Sequence, residues 1–352
     1  HTDDEMRAAI ASAATRTMSI VSSRARPTPR AGEVLVDVRA AGVNHIDANA
    51  VRDGYAANVY ASGRGDAYEG VWVPGREFSG IIAEVGPGVR GLKVGDEVYG
   101  ATPPTSRDGA FAEFTATPAH AVALKPDALA HEDAAAIPFA ALTAYRALFD
   151  KGRLRANERV LIMGGGSAVG TSACALAVDL GCDVTATSSE IDMDRLKNMG
   201  VSDVIDYKVK AALKRTTGSD GWAPFDLALN CVGSKQTETQ AIDRLKYGTG
   251  RYVSLHGDLG KFISHEKGML AGVMKAFQEY TRKKAVTRFQ RDVGYVQAVM
   301  RLDPDGMLDI ARLVDDGALR VPVGKVLGLD EIDTAFDLLR DGSVAGKIVI
   351  KM

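Results

Sequence analysis

Glycines 164, 165 and 166 follow directly on the apolar run Val160-Leu-Ile-Met163, Gly170 comes four residues later, and small residues continue as far as Gly181. A buried strand, a tight turn and a helix start require this order. Such a turn aims backbone N–H groups and the positive end of a helix at an anion, and a pyrophosphate suits that position. The pattern predicts a dinucleotide site made by Gly165, Gly166, Ser167, Ala168, Val169 and Gly170. A strand-to-helix turn with no ligand can be read from the same residues. Ser167 stands where the G-x-G-x-x-G fingerprint has its central glycine, so the strict motif is absent. A Cβ there takes room from the phosphates, but a hydroxyl at a helix start can also donate to phosphate. Ser167 is therefore read as tolerated.

The next strand, Asp183-Val-Thr-Ala-Thr187, is followed by Ser188 and Ser189. NAD-specific sites carry Asp or Glu at this point for the ribose hydroxyls. Small hydroxyls leave room for a 2′-phosphate and can hydrogen-bond to it, so NADPH is expected over NADH. Plain helix caps would use the same two serines. Glu190 would repel a 2′-phosphate if it turned inward, and Arg195 and Lys208 are the basic candidates for a clamp. Asn230 and Val232, at the end of a later strand, are counted with the cofactor site. Among residues suited to proton or oxyanion chemistry, Asn44, Asp47, Asn49 and Tyr55 cluster near the amino terminus.

Elements must position these residues. Up to about residue 125 short strands alternate with turns, at 33–40, 81–89, 95–100 and 110–116, which suits a partly open barrel. The stretch 57–73 has no period and reads as a long loop, either a cleft edge, a partner contact or plain surface. Beyond Pro126 an Ala-rich helical stretch leads into strands and helices in alternation, with four to six apolar strands expected. That alternation predicts a doubly wound parallel sheet. The chain then reads as helical from 267 to 314 and closes on Gly346-Lys-Ile-Val-Ile-Lys351, a strand able to return to the first domain. The basic run Arg282, Lys283, Lys284 with Arg288 and Arg291 reads as a solvated helix face or a docking surface.

The 352 residues suffice for two cores. A net charge of −2 gives no reason to expect nucleic acid or an acidic membrane surface, and no apolar run reaches the ~18 residues of a membrane span. Cys174 and Cys182, read on one helix and about 12 Å apart along its axis, are too distant for a disulfide. With Cys231 they are expected to be reduced core residues. The chain opens on His1, which reads as a trimmed product whose targeting segment, if any, has gone.

The ordered strings Gly42-Val-Asn-His-Ile-Asp47, Pro74-Gly-Arg-Glu-Phe-Ser-Gly80, Val85-Gly-Pro-Gly-Val-Arg-Gly-Leu-Lys-Val-Gly-Asp-Glu-Val-Tyr-Gly100, Gly109-Ala-Phe-Ala-Glu-Phe114, Leu142-Thr-Ala-Tyr145 and Gly346-Lys-Ile-Val349 run through nearly the whole chain. Together they resemble the medium-chain dehydrogenase/reductases, and within them the zinc-free quinone oxidoreductase branch. The Asp47-x-Asn49 pair, the insertion after Tyr55 and the Pro103-Pro104 turn resemble a subgroup of mitochondrial matrix NADPH enzymes linked to ubiquinone metabolism. The resemblance implies a β-rich GroES-like catalytic domain from both chain ends, residues 1–128 and 318–352, around a Rossmann nucleotide domain, 129–317. It also implies that Thr143 contacts the nicotinamide, Ser188 the 2′-phosphate, and Tyr207 the adenosine.

Zinc-dependent members of that family place Cys where Asn44 stands and His where Arg76 stands. An amide and a guanidinium cannot replace thiolate and imidazole, so no metal is expected. Without metal, hydride transfer favours an acceptor that spreads charge by conjugation, a quinone or an enone. Asn44, at the cleft between domains, is the expected donor to the developing oxyanion, oriented by Asp47, which could instead hold the nicotinamide ribose. Tyr55 or solvent would deliver the proton, since Asn49 replaces a tyrosine common in that branch. Each of these side chains could also merely tie down a loop. A second expectation, of another class, is an accessory or assembly subunit of a larger mitochondrial complex that keeps the fold and turns over little. A zinc alcohol dehydrogenase comes third. A homodimer would be usual for the family.

Overall fold

A computed structural model describes residues 5–12, 14–53, 70–209, 225–255 and 269–352. The chain divides into two compact units. His1–Phe139, Arg301–Asp315 and Arg320–Met352 form one, and Ala140–Met300 with Asp316–Leu319 the other.

The first unit is built on strands β1 (Glu5–Ser12), β2 (Met18–Ala25), β3 (Glu33–Gly42), β4 (Val71–Trp72), β5 (Glu77–Val85), β6 (Glu97–Ala101), β7 (Phe114–Pro118) and β8 (Val122–Leu124). The second unit contributes β9 (Arg159–Met163), β10 (Asp183–Ser188), β11 (Asp203–Asp206), β12 (Leu227–Asn230), β13 (Arg251–Ser254) and β14 (Gly294–Gln297). The chain then returns to the first unit for β15 (Val323–Gly328) and β16 (Lys347–Lys351). This is the expected architecture, the parallel Rossmann sheet from the alternation of elements and the GroES-like unit from the family resemblance.

In the first unit β3 is the pivot. Its sequence Glu-Val-Leu-Val-Asp-Val-Arg-Ala-Ala-Gly is buried along most of its length, as a strand paired on both sides should be. On one side it pairs with β5, Gly42 facing Glu77, and on the other with β16, Gly42 facing Val349. Both chain ends thus share one sheet, ordered β15-β16-β3-β5-β6-β8 with β7 also on β3. A smaller sheet, β2-β1-β4, lies in the same unit. The sequence reading left out β1 and β2, whose Ala- and Ser-rich composition lacks the large β-branched alternation that marks a strand.

The second unit holds six parallel strands in the order β11-β10-β9-β12-β13-β14. Starting from β9 the order is 3-2-1-4-5-6, with the reversal between β9 and β12. In such sheets ligands bind outside the carboxyl ends at that reversal.

Three local expectations change. The stretch 267–314 is not helical throughout: a helix Met269–Arg291 ends at Asp292 (φ 51°), and β14 follows. Tyr295 on β14 is buried against Tyr252, ring centroids 5.1 Å apart, and tertiary packing outweighs the local helical pattern. The helix Pro304–Asp315 falls in the first unit, because its apolar face of Met307, Ile310, Leu313 and Val314 packs on β8 and the turn before it. Cys182 is not on the helix of Cys174, which ends at Asp179 before Gly181 (φ 80°). Cys174, Cys182 and Cys231 are all thiols.

Candidate active site

The register of the first sheet brings three side chains together. Gly42 faces Glu77 on one side and Val349 on the other, so continuing the β16 register places Lys347 beside Asn44. Lys347 Nζ donates to Asn44 Oδ1 at 2.6 Å and lies 2.5 Å from Glu77 Oε1. Asn44 Nδ2 donates to Glu77 Oε1 at 2.8 Å, while its contact with the Gly42 carbonyl is long, 3.5 Å. Glu77 Oε2 accepts from the backbone N–H of Phe139 at 2.9 Å, in the first turn of the helix Pro138–Tyr145. All of these polar groups are buried. Gly42 must be glycine here: a Cβ would sit 2.4 Å from Glu77 Oε1 and 2.6 Å from the Ala135 carbonyl.

Asn44 also starts the helix His45–Asp53. Its carbonyl accepts from Asp47 N at 3.0 Å, and its own N–H donates to Asp47 Oδ2 at 3.0 Å, the returning half of a capping box. Asp47 Oδ1 accepts from Gly75 N at 3.0 Å, and Arg76 Nε lies 3.9 Å away. The Arg76 guanidinium donates to the carbonyls of Ser106 and Pro103. The Asp47 carboxylate thus holds the backbone N–H of Asn44. Asn49 is exposed on the same helix. Tyr55, and residues 57–69 of the long loop, lie outside the described residues.

Burial pushes the Asp47 carboxyl up to about 6, against the opposing pull of Arg76 and of the Gly75 and Asn44 amides. An unfolded Asp releases its proton nearer ~3.9. Between those values the folded chain holds more protons than the unfolded one, so this group's contribution to stability falls as pH rises and is level above the window. We expect an Asp47→Asn variant to lack that falling limb. Urea unfolding of both proteins at pH values spanning ~4 to ~7 should show the difference moving against the wild type by at most about 3 kcal/mol. A difference independent of pH would contradict the raised carboxyl.

A zinc ion does not fit these residues. Asn44 Oδ1 and Glu77 Oε1 face an ammonium, Glu77 Oε2 and both Asp47 oxygens take backbone N–H groups, and Arg76 adds a second cation. Among the described residues no cluster of three or more His, Cys, Asp or Glu is placed to hold a metal.

In the second unit the predicted cofactor residues gather at the carboxyl ends of neighbouring strands. Pairing of Met163 with Thr187 and Asn230, and of Ser188 with Asp206, aligns the ends of β9, β10, β11 and β12. Gly164 (φ 86°) turns the chain out of β9, and its N–H donates to Thr187 Oγ1. Ser167 is the N-cap of the helix Ala168–Asp179: its Oγ accepts from Gly170 N at 3.1 Å and donates to the Gly164 carbonyl at 2.8 Å. Its backbone (φ −68°, ψ 159°) needs no glycine, and the hydroxyl folds back on the loop. Gly165, Gly166, Ala168 and Val169 complete a turn that opens on a 12-residue helix, a shape that fits a dinucleotide pyrophosphate.

Val232 lies over the loop, its Cγ2 2.8 Å from where a Cβ on Gly164 would be. Asn230 is fully buried and does not reach outward. Its Nδ2 donates to Thr237 Oγ1 and Tyr252 Oη, and its Oδ1 accepts from Val232 N and Gly233 N. Those bonds make its side chain the scaffold of the 231–234 turn. Tyr207 is half-exposed, its N–H donating to the Ser188 carbonyl at 3.2 Å, and Lys208 N donates to Asp206 Oδ1. Ser188 is buried and its Oγ donates to the Ser189 carbonyl. Ser189 Oγ donates to Asp192 Oδ2 at 3.0 Å, and Asp192 Oδ1 pairs with Arg195 at 2.7 Å. Thr143 is buried in the helix Pro138–Tyr145.

Sequence reasoning missed Lys347, Glu77 and Asp192 as parts of these sites. Lys347 and Glu77 stood in strings already quoted, but their pairing with Asn44 depends on strand register. Asp192 is three residues beyond its N-cap Ser189 and turns back toward the loop, whereas Glu190 is exposed.

Two family descriptions match the chain: Alcohol dehydrogenase GroES-like domain over residues 30–127, and Zinc-binding dehydrogenase over 199–350. The human NAD(P)H oxidoreductase RTN4IP1, mitochondrial, is 34% identical over 91% of this chain and 82% of its own length. Its Danio rerio counterpart is 32% identical over 91% of this chain and 84% of its own length. A quinone oxidoreductase structure from Coxiella burnetii superposes with a TM-score of 0.76 at 25% identity, covering 99% of both chains. The relatives' names support a mitochondrial location for this chain. Among the described residues no helix is long and apolar enough to cross a membrane. With the strand order of the second unit and the sheet shared by both chain ends in the first, these likenesses make the chain a member of the medium-chain dehydrogenase/reductase family, an NAD(P)H oxidoreductase of the quinone oxidoreductase kind.

Proposed function

We propose that the chain reduces a quinone or an enone with NAD(P)H and without zinc. The observation that carries this reading is the buried Asn44–Glu77–Lys347 network, where an ammonium and an amide meet at a carboxylate. The bound nicotinamide supplies a hydride, two electrons and one proton, and solvent or Tyr55 supplies the second proton. Asn44 has one amide hydrogen with only the long 3.5 Å contact to Gly42, and this hydrogen is the donor for an acceptor oxygen gaining charge. Lys347 on Asn44 Oδ1 polarises the amide and strengthens that donor. Asp47 fixes the Asn44 backbone, so the donor is held before substrate arrives. A conjugated acceptor suits such a site, because a charge spread by conjugation needs less stabilisation than a localised alkoxide, and one neutral N–H can suffice for it.

Gly165, Gly166, Ser167, Ala168 and Val169 would hold the pyrophosphate, with Thr143 toward the nicotinamide and Tyr207 toward the adenosine. Ser188 and Ser189 alone argue for NADPH, and the Asp192 carboxylate beside them argues the other way. The test is steady-state oxidation of NADH and NADPH with a short-chain ubiquinone. Asn44→Ala should lower kcat by about tenfold to a thousandfold with the cofactor KM little changed. An unchanged kcat would remove Asn44 from the chemistry.

A second reading has its own observation. Phe277 (66% exposed), Phe289 (90%) and Met274 stand out on the helix Met269–Arg291, as a partner surface would require. An accessory subunit predicts no turnover with quinones or enones and co-purification with a larger assembly.

A further inference from the structure

The helix Met269–Arg291 is packed along one side only. Gly272, Ala276, Tyr280, Lys283 and Thr287, three or four residues apart, are its buried or half-buried positions. The Tyr280 ring lies 6.2 Å from that of Tyr295 on β14. Met274, Phe277 and Phe289 fall on the opposite side and are exposed. We propose that this outward side lies on an anionic phospholipid bilayer, with Met274 and the two phenylalanines in the interface and the basic side chains around them on lipid phosphates. Such docking holds whether or not the chain turns over.

Charge points to the partner. Six Lys and Arg stand on these 23 residues against the single acid Glu279. In a chain whose formal charge is −2 that is a local excess, and at physiological salt a bilayer feels the charges within ~8 Å. Acids neutralise the inner flank: Lys283 pairs with Glu238 of the helix Lys235–Ile242, and Arg291 with Asp243 at its end. Lys275, Arg282, Lys284 and Arg288 are exposed. Of these, Arg282 pairs with Glu279 and Arg288 with Asp292. Surface pairs of this kind hold weakly and yield to a phosphate.

Isolated rings that protrude this far suit a fluid partner. A protein would need a fitted pocket for each of them to gain from the contact. Headgroups and acyl chains close around any ring, and phosphates meet the cations where they stand. From Met274 to Phe289 the helix runs about 22 Å, so the contact is a line along the surface rather than a point. The helix is not apolar enough to cross the bilayer.

The test is flotation of the full chain with vesicles of equal parts phosphatidylcholine and phosphatidylglycerol, and with pure phosphatidylcholine. The anionic vesicles should bind at least about tenfold more tightly, and added salt should shrink that ratio. Phe277→Ala with Phe289→Ala, and separately Lys275→Gln with Lys284→Gln, should each weaken the binding by about tenfold. Thermal unfolding reports whether each variant is folded. The Phe289→Trp variant should gain a blue-shifted emission on the anionic vesicles, which reports contact by this side of the helix. A chain that stays in the aqueous layer overturns the proposal and leaves the face to a protein partner. Equal binding to both vesicles overturns it as well. So does binding that survives both pairs of substitutions, or an unshifted emission from Phe289→Trp.

Discussion

Lys347→Met is expected to destabilise the chain by about 3–5 kcal/mol, because it leaves Glu77 as a buried charge without its cation. Glu77 is fully buried, with Lys347 Nζ at 2.5 Å, the Phe139 amide on one oxygen and Asn44 Nδ2 on the other. Two neutral donors cannot replace an ammonium in a low-dielectric interior. Methionine keeps the length and apolar stem of lysine, so the loss reports charge more than volume. The same substitution removes the donor to Asn44 Oδ1 and frees the amide to rotate. The double variant Lys347→Met with Glu77→Gln removes both charges and should recover much of the stability without the activity. Denaturant unfolding of the two variants checks this. A single variant within about 1 kcal/mol of the wild type would show that the pair contributes nothing there.

Gly170→Ala has the second large effect, and it falls on the cofactor. A Cβ at 170 would lie 2.1 Å from the Gly164 carbonyl oxygen and 2.8 Å from Gly164 C and Gly165 Cα, all backbone. No side chain can yield, so the turn must move away from the helix whose N-cap it forms. The Gly170 N–H to Ser167 Oγ bond and the Thr171 N–H to Ser167 carbonyl bond would be strained together. We expect a stability loss of about 1–3 kcal/mol, as for overpacking. On the proposed dinucleotide site, NAD(P)H affinity should fall by at least about a hundredfold, since the amides that would face the pyrophosphate shift as a unit. Gly166→Ala is the contrast, because the three atoms nearest its Cβ all belong to the Asp192 side chain rather than to backbone, and displacing them breaks its bonds to Ser189 and Arg195 but leaves the turn in place. Its fold should survive nearly intact. Titration and thermal unfolding of both variants decide the matter, and wild-type affinity in Gly170→Ala would mean that this loop does not hold the phosphates.

The glycine turn, the alternation that builds the parallel sheet and the return of the last strand to the first domain are all legible in the chain's local pattern. Each is written in neighbouring residues: an apolar run, small residues where backbones approach, and a change of period from two to nearly four. Four-residue β14 escaped because so short a strand carries too little period to outweigh the helical residues around it. Asn44, Asp47 and Ser167 could be singled out as polar residues at helix starts, but not what each would bond. That Lys347, 303 positions from Asn44, holds its amide follows from strand pairing and not from local pattern. A one-residue change of register between β16 and β3 would have turned that lysine to the other face. Likewise the phase of one helix start, and not the kind of acid, set Asp192 rather than Glu190 against the loop. Local pattern specifies elements because backbone preferences are local, whereas the charges that tune a site meet through space, where register and helix phase choose the partners.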